Sequence, residues 1–214
     1  MSRLILMGPP GAGKGQQSEK LKKQGYNHVA VGDLLRAVVA DKHHPLHPVL
    51  VDQMGSGGLV DDRIILDIMS QHLSRFSEND KVLLDGFPRT VAQAKAMVSM
   101  SLMPTTIIVL VVDKQVLAKR ISGRWIDQPS GRVYNAFFAP PKRAGFDDES
   151  GRALTQRKDD RADIVVKRLT TYFSETYPVL DYFTVLAEKM PIRITYLDGM
   201  RTIDEIASSI ELLA

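Results

Sequence analysis

The chain has 214 residues, 44% of them hydrophobic and 25% charged, which suits one compact core with insertions and excludes a disordered chain or a coiled coil. Twenty-eight Lys and Arg stand against 25 Asp and Glu, and a net charge of +3 is too small to argue for a nucleic-acid partner by itself. The absence of Cys removes disulfides, thiolate metal sites and cysteine nucleophiles; no apolar run reaches the roughly 18 residues of a membrane span, and the N-terminus lacks the charge order of a signal peptide.

Leu4 to Met7 is a continuous apolar run ending at Gly8, the pattern of a strand buried on both faces of a parallel sheet. A helix over Gly13 to Gln24, a strand over His28 to Val31 and a helix over Gly32 to Ala40 follow. His43 to Gly58 breaks the rhythm with Pro45, Pro48 and three glycines in a loosely helical pattern, and His43, His44 and His47 read there as solvated loop residues and not as metal ligands. The alternation resumes with a helix over Asp61 to Phe76, a strand over Lys81 to Asp85, a helix over Thr90 to Met100, a strand over Thr106 to Val112 and a helix over Lys114 to Ser122. Arg124 to Arg157 is rich in Gly, Pro and Asp without a helical stripe, longer than an ordinary connection, and reads either as disorder or as a functional lid with short strands of its own. One helix over Asp160 to Phe183, a strand over Ile192 to Leu197 and a helix over Thr202 to Leu213 complete the chain. The pattern predicts an α/β fold with a central parallel sheet, and no internal repeat is evident.

Gly8-Pro9-Pro10-Gly11-Ala12-Gly13-Lys14-Gly15 lies between the first strand and the first helix, the context that a phosphate-binding loop requires. Glycines let backbone N–H groups turn around an anion, the helix N-terminus adds its dipole, and Lys14 supplies a point charge for the outer phosphates. Gly15 stands where many such loops place a Ser or Thr that touches magnesium, so the metal is expected to be held mostly by phosphates and water. Asp85 ends a buried strand beside this loop and is placed to orient water on magnesium. Taken alone it reads better as the cap of the following turn. The continuation Gly86-Phe87-Pro88-Arg89-Thr90, with Gln93 in the next helix, changes that balance.

Gly8 to Gly15, Gly32-Asp33-Leu34-Leu35-Arg36, Asp85 to Thr90 with Gln93, Pro129-Ser130-Gly131-Arg132-Val133-Tyr134, Pro140-Pro141-Lys142 and Arg157-Lys158-Asp159-Asp160 together resemble, in order, the motifs of the long-lid adenylate kinases. The resemblance covers essentially the whole chain. It implies a P-loop NTP hydrolase-like α/β fold with a five-stranded parallel sheet flanked by helices, divided into core (1–29), monophosphate-binding insertion (30–60), core (61–122), lid (123–160) and core (161–214). It implies reversible transfer of the terminal phosphoryl group from Mg-ATP to AMP, with magnesium as cofactor, no zinc, no nucleic-acid or membrane partner, a monomer and a cytoplasmic location.

Residue by residue, the resemblance places Lys14, Arg89, Arg124, Arg157 and Arg168 in the catalytic set. It places Gly11, Ala12, Gly13, Lys14, Gly15, Gln16, Arg124, Val133, Tyr134 and Arg201 beside ATP. Val31, Arg36, Gly58, Leu59, Val60, Gly86, Phe87, Pro88, Arg89, Gln93, Arg157 and Arg168 fall beside AMP, and Asp85 holds magnesium through water. The arginines make physical sense, because charge developing on a migrating phosphoryl group needs fixed cations more than it needs a base. Asp127, Ser130, Asp147 and Ser150 take the spacing at which some relatives carry four zinc-binding cysteines. Two carboxylates and two hydroxyls make a poor zinc set and read as a hydrogen-bonded cluster, in which the two aspartates repel unless each accepts a hydroxyl proton or one is protonated. Gln16, Val31 and Gly58 depart from the family pattern, and the first helix is unusually polar, with Leu21 its only large apolar residue. Two other readings stay open: a GTP:AMP phosphotransferase of the mitochondrial matrix, which Arg124-Trp125-Ile126 and Arg132 to Asn135 also resemble, and a nucleotide-binding regulator with weak turnover.

Overall fold

The computed structural model describes residues 2–55, 59–100, 102–156, 160 and 162–213. The strand β1 (Ser2–Met7) leads into α1 (Lys14–Lys23), β2 (Asn27–Ala30) and α2 (Val31–Ala40). Two helices, α3 (His47–Gly55) and α4 (Asp62–Leu73), precede β3 (Lys81–Asp85), α5 (Val91–Ser99), β4 (Thr106–Val111) and α6 (Lys114–Ser122). An antiparallel pair, β5 (Arg124–Ile126) and β6 (Val133–Asn135), interrupts the alternation before α7 (Ala162–Thr171), α8 (Pro178–Ala187), β7 (Arg193–Asp198) and α9 (Ile203–Leu213). The main sheet is parallel throughout and runs β2-β3-β1-β4-β7.

Strand alternation gives this sheet two cores. Ile5 and Met7, Val82 and Leu84, Ile107 and Val109 face one side, where Leu35, Met69, Met97 and Phe183 of α2, α4, α5 and α8 cover them. Leu4 and Leu6, Leu83, Ile108 and Leu110 face the other, against Leu21, Leu117 and Ile210 of α1, α6 and α9. Apolar on both faces, the strands can only be central, which puts their C-terminal ends and the loops that follow at one rim of the molecule. Among the described residues no helix is long and apolar enough to cross a membrane.

Three local expectations change. Val31 opens α2 instead of closing β2, and its side chain is buried. The expected helix over Asp160–Phe183 is divided: Pro178 has no N–H to give residue 174, the ladder widens into a π turn over Tyr172–Thr176, and Tyr177 N–H reaches Tyr172 O at 2.8 Å. Within 43–58 a true helix forms, and two of its three histidines are engaged. The His44 Nδ1 accepts from Leu46 N–H at 3.1 Å, and His47 Nδ1 lies 2.9 Å from Val39 O, so both are half-buried turn-makers and not solvated.

The segment expected to form the lid also contains what the sequence reading lacks, a repeat: Asp127-Gln-Pro-Ser-Gly-Arg132 and Asp147-Asp-Glu-Ser-Gly-Arg152 fold into the same turn. In each, the glycine N–H returns to the aspartate carbonyl (2.8 and 2.9 Å), and the serine hydroxyl donates to the aspartate carboxylate (2.5 and 2.7 Å). The arginines cross over. Arg152 donates to Asp127 through Nε (3.0 Å) and Nη2 (2.6 Å), and Arg132 to Asp147 through Nε (2.8 Å) and Nη2 (2.6 Å). Both carboxylates are almost fully buried, so the forked guanidiniums, and not a shared proton, relieve their repulsion. Tyr134 OH adds a third donor to Asp147 at 2.9 Å. Arg152, then Ser130, hold the Asp127 carboxyl down to about 2, and Arg132, with Ser150 and Tyr134, holds Asp147 lower still.

These two carboxyls titrate lower folded than unfolded, so their contribution is complete above the ordinary carboxylate range near pH 4 and fades as pH falls through about 2. Amide protection in Arg124–Gln156 should therefore vanish in that window before the sheet loses its own, as followed by hydrogen exchange. Arg152→Ala, which leaves Asp127 without its fork, should speed exchange in the lid at neutral pH by on the order of tenfold while β1, β3 and β4 keep their protection.

Candidate active site

The loop between β1 and α1 is drawn tight against the sheet. A Cβ on Gly8 (φ +145°) would stand 2.8 Å from Leu110 O, so only glycine lets the chain pass there. Gly13, left-handed at φ 97°, precedes α1 and offers no side-chain cap, leaving the first N–H groups of the helix to an anion. Lys14 Nζ bridges back to the carbonyls of Gly8 (2.7 Å) and Pro9 (3.1 Å), closing the cradle over itself. The polar first helix is anchored by polar means: Gln17 Nε2 donates to Ile203 O at 3.0 Å and Ser18 Oγ to Lys14 O at 3.0 Å, with only Leu21 entering an apolar cluster.

Because β1 and β3 are neighbours with Leu6 opposite Asp85, the carboxylate at the end of β3 arrives beside this cradle. Its Oδ2 lies 3.4 Å from Ser18 Oγ and 3.4 Å from His28 Nε2. Burial pushes the Asp85 carboxyl up, but the His28 bond and the Lys14 charge outweigh it and leave it below the ordinary range. Lys14 is driven the other way: burial first, with the charges of Arg89, Arg168 and Arg124 acting in the same sense against Asp85, brings the ammonium down to about 8. Lys14, Asp85, Arg89, Arg124 and Arg168 thus share one electrostatic site.

Two of those guanidiniums are gathered by one acid. Asp160 accepts from Arg124 Nε at 2.7 Å and Nη2 at 2.5 Å, and from Arg168 Nη1 at 2.9 Å, with no part of its side chain in contact with solvent. Arg89 Nε folds over the preceding turn onto Gly86 O at 2.9 Å. Arg36 pairs with Asp33 one helical turn back. Val31, Val60 and Phe87 pack together in the first apolar core, Pro88 is buried, and Leu59 and Gly86 are half-buried at its edge. Gln93 is buried at the start of α5 and hydrogen-bonded at both ends of its amide.

On the other side of the loop, Gly11, Ala12, Gly15 and Gln16 line the turn into α1, while Tyr134 is a strut inside the lid and Val133 is exposed on β6. Arg201 is exposed and lies over α9 with Nη1 3.2 Å from Ser209 Oγ, outside the arginine cluster. Arg157 and Gly58 lie outside the described residues. The sequence reading missed Arg120 and Phe138: the guanidinium carbon of Arg120 stands 5.6 Å from the Phe138 ring centre, and Arg120 Nη1 donates to Gly199 O at 3.0 Å. A Cβ on Gly199 would touch Ala12 O at 3.3 Å, so this planar pair sits beside the phosphate loop. Exposed Phe137-Phe138 in a polar lid is the signal that could have found it. The sequence reading also assigns no role to Asp62, Asp160, Arg132 and Arg152, which in the structure hold other polar groups.

Among the described residues no cluster of three or more His, Asp or Glu forms a metal cage. The donor set present, one carboxylate at a strand end with Gly15 and Gln16 where a hydroxyl could stand, fits a hard divalent ion that keeps water and takes its other ligands from phosphates. It does not fit zinc, since both lid carboxylates are already saturated by guanidinium and hydroxyl donors.

Asp160→Asn keeps the shape of the buried acid and removes its charge from between two guanidiniums. Urea denaturation should show an unfolding free energy lower by about 1–3 kcal/mol, with Arg124 and Arg168 no longer held together.

The family model described as adenylate kinase matches residues 6–188. Adenylate kinase 4 of Arabidopsis thaliana is 41% identical over 205 residues, covering 90% of this chain and 83% of that protein. Adenylate kinase 3 of Oryza sativa subsp. japonica is 42% identical over 205 residues (90% and 85%), and the adenylate kinase of Sodalis glossinidius (strain morsitans) 38% over 209 residues (97% of each). With a phosphate cradle, a carboxylate and an arginine cluster at the rim of a five-stranded parallel sheet, and with this match over nearly its whole length, the chain belongs to the adenylate kinase family.

Proposed function

We propose that this enzyme transfers the terminal phosphoryl group of Mg-ATP to AMP, reversibly and with two ADP as products, and so equilibrates the adenine nucleotides of its compartment. The observation that carries the reading is the convergence of Lys14, Arg89, Arg124 and Arg168 on one site with a single strand-end carboxylate. Among the described residues that is a surplus of fixed cations, with Asp160 already engaged by two of them. Such a site suits phosphoryl transfer between phosphates, where the bond from the γ-phosphorus to the bridging oxygen breaks, one to an AMP phosphate oxygen forms, and no proton need be abstracted.

Each cation already occupies a provisional partner that a phosphate would replace. Lys14 would leave the Gly8 and Pro9 carbonyls for the outer phosphates of the donor, over the N-terminus of α1. Arg124 and Arg168 would exchange Asp160 for the migrating group, joined by Arg89 and Arg157. Asp85 would hold magnesium through its water shell, and the ion would supply charge neutralisation to the donor phosphates. Arg120 and Phe138, with Val133 and Arg201 at the same edge, would hold the donor base. Arg36 would take the AMP phosphate, and Leu59, Val60, Gly86 to Pro88 and Gln93 would wall the acceptor base. Segments 30–60 and 123–160 would close over both nucleotides and exclude water, which otherwise accepts the phosphoryl group.

A coupled assay with each triphosphate and each monophosphate tests the reading. Stoichiometric ADP from ATP and AMP is expected; turnover confined to GTP as donor, or none with any pair, would replace it by one of the two alternatives.

Lys14 supplies a further check. Its ammonium titrates near 8 in the free protein, and a bound polyphosphate stabilises the charged form, so ATP affinity should be greatest below that pH and decline as pH rises through it. Between there and the ordinary lysine range near 10, calorimetry in buffers of different ionisation enthalpy should show proton uptake on binding. Lys14→Met should abolish the uptake.

A further inference from the structure

We propose that Asp62 is a specificity-determining residue, which selects adenine over its oxo counterparts in the acceptor by fixing which way the Gln93 amide points. The inference rests on the reading of Gly86–Gln93 as the acceptor-base wall. Gln93 is 2% exposed, so no solvent is available to satisfy its amide in a second orientation. Its Oε1 accepts from Arg89 N–H at 2.7 Å, and its Nε2 donates to Asp62 Oδ1 at 2.7 Å. Each partner can play one part only: a backbone N–H donates and a carboxylate accepts. Turned over, the amide would set N–H against N–H and oxygen against oxygen, and two buried bonds would become two unpaired contacts.

The carboxylate is itself held. Thr90 Oγ1 donates to Asp62 Oδ2 at 2.8 Å and accepts Gln93 N–H at 3.1 Å, capping α5 in the same act. Asp61, one residue earlier, caps α4 by accepting from Arg63 N–H at 2.8 Å, which leaves Asp62 to face α5. The arrangement differs from a capping box, in which the glutamine would return to the Thr90 N–H. Here it reaches one residue further back, and its outer end is taken by a second helix.

A side-chain amide has two N–H groups and two carbonyl lone pairs. With one of each spent, Gln93 retains one donor and one acceptor in a fixed order. Adenine, with a ring-nitrogen acceptor beside an amino donor, matches that order in a given pose. Hypoxanthine and guanine, with a ring N–H beside a carbonyl, present the reverse. The lock therefore makes the oxo purines the mismatched acceptors without any group placed to repel them.

The test is the ratio of kcat/KM for AMP to that for inosine monophosphate, at saturating ATP. Asp62→Asn can meet the amide in either orientation and leaves Arg89 N–H as its remaining one-way partner, so the ratio should fall by about three- to tenfold, with the KM for ATP unchanged. A merely structural role would lower both acceptors alike, and an unchanged ratio in a folded variant overturns the proposal. The exchanged pair Asp62→Asn/Gln93→Glu keeps a bond between the two positions but shows the base a carboxylate, and should move preference further toward inosine monophosphate. Should the single variant fail to fold, this pair decides in its place, a wild-type ratio again overturning the lock. Gln93→Ala separates the two levels of the argument. If it leaves the ratio at the wild-type value, the acceptor-wall reading falls and the lock with it; if it erases the preference while Asp62→Asn does not change it, only the lock falls.

Discussion

Positive charge that must be concentrated before its substrates arrive is the constraint on which this structure turns. Two like charges about 4 Å apart at the effective dielectric of a partly buried site cost on the order of 4 kcal/mol, and here an ammonium and three guanidiniums share one rim. Each is held by an oxygen in the meantime: carbonyls of its own loop for Lys14, the Gly86 carbonyl for Arg89, and Asp160 for Arg124 and Arg168. On the proposed function, phosphates would compete with these partners for the same donors. The partners hold the donors of Lys14, Arg124 and Arg168 oriented at partly buried positions, while Arg89 stays exposed.

The lid solves a related problem with opposite signs. A segment from Arg124 to Gln156 has few apolar side chains to bury, Ile126 and Leu154 chief among them, and cannot hold itself together by a core. Two copies of one turn, each offering a buried carboxylate to the other's arginine, supply a polar core in which the described donors and acceptors are matched. Such a core depends on geometry more than on area, since a buried carboxylate that loses its fork is costly and one that keeps it is quiet.

Position 31 and the first helix show how the departures from the family pattern are absorbed. Val31 opens α2 and is buried in the same apolar core as Leu35, Val60 and Phe87, where an apolar side chain is at home. The unusual polarity of α1 is answered by hydrogen bonds from Gln17 and Ser18 to the neighbouring backbone.

What was legible in the sequence follows from local rules. Apolar runs bounded by glycine specify buried parallel strands, and a glycine loop with a lysine before a helix specifies an anion cradle, because both depend on residues adjacent in the chain. The five strands and the cradle were accordingly readable from position and spacing, whereas the roles expected of Asp85 and the arginines came from the family resemblance. What only the tertiary structure decided are pairings between distant residues: Asp160 with Arg124 (36 positions apart), Gln93 with Asp62 (31) and Arg152 with Asp127 (25). An aspartate has the same letter whether it caps a turn, coordinates water or holds an arginine. Its role is set by which donor the fold brings within 3 Å of it, and that depends on helix packing and strand order that no single stretch of chain contains.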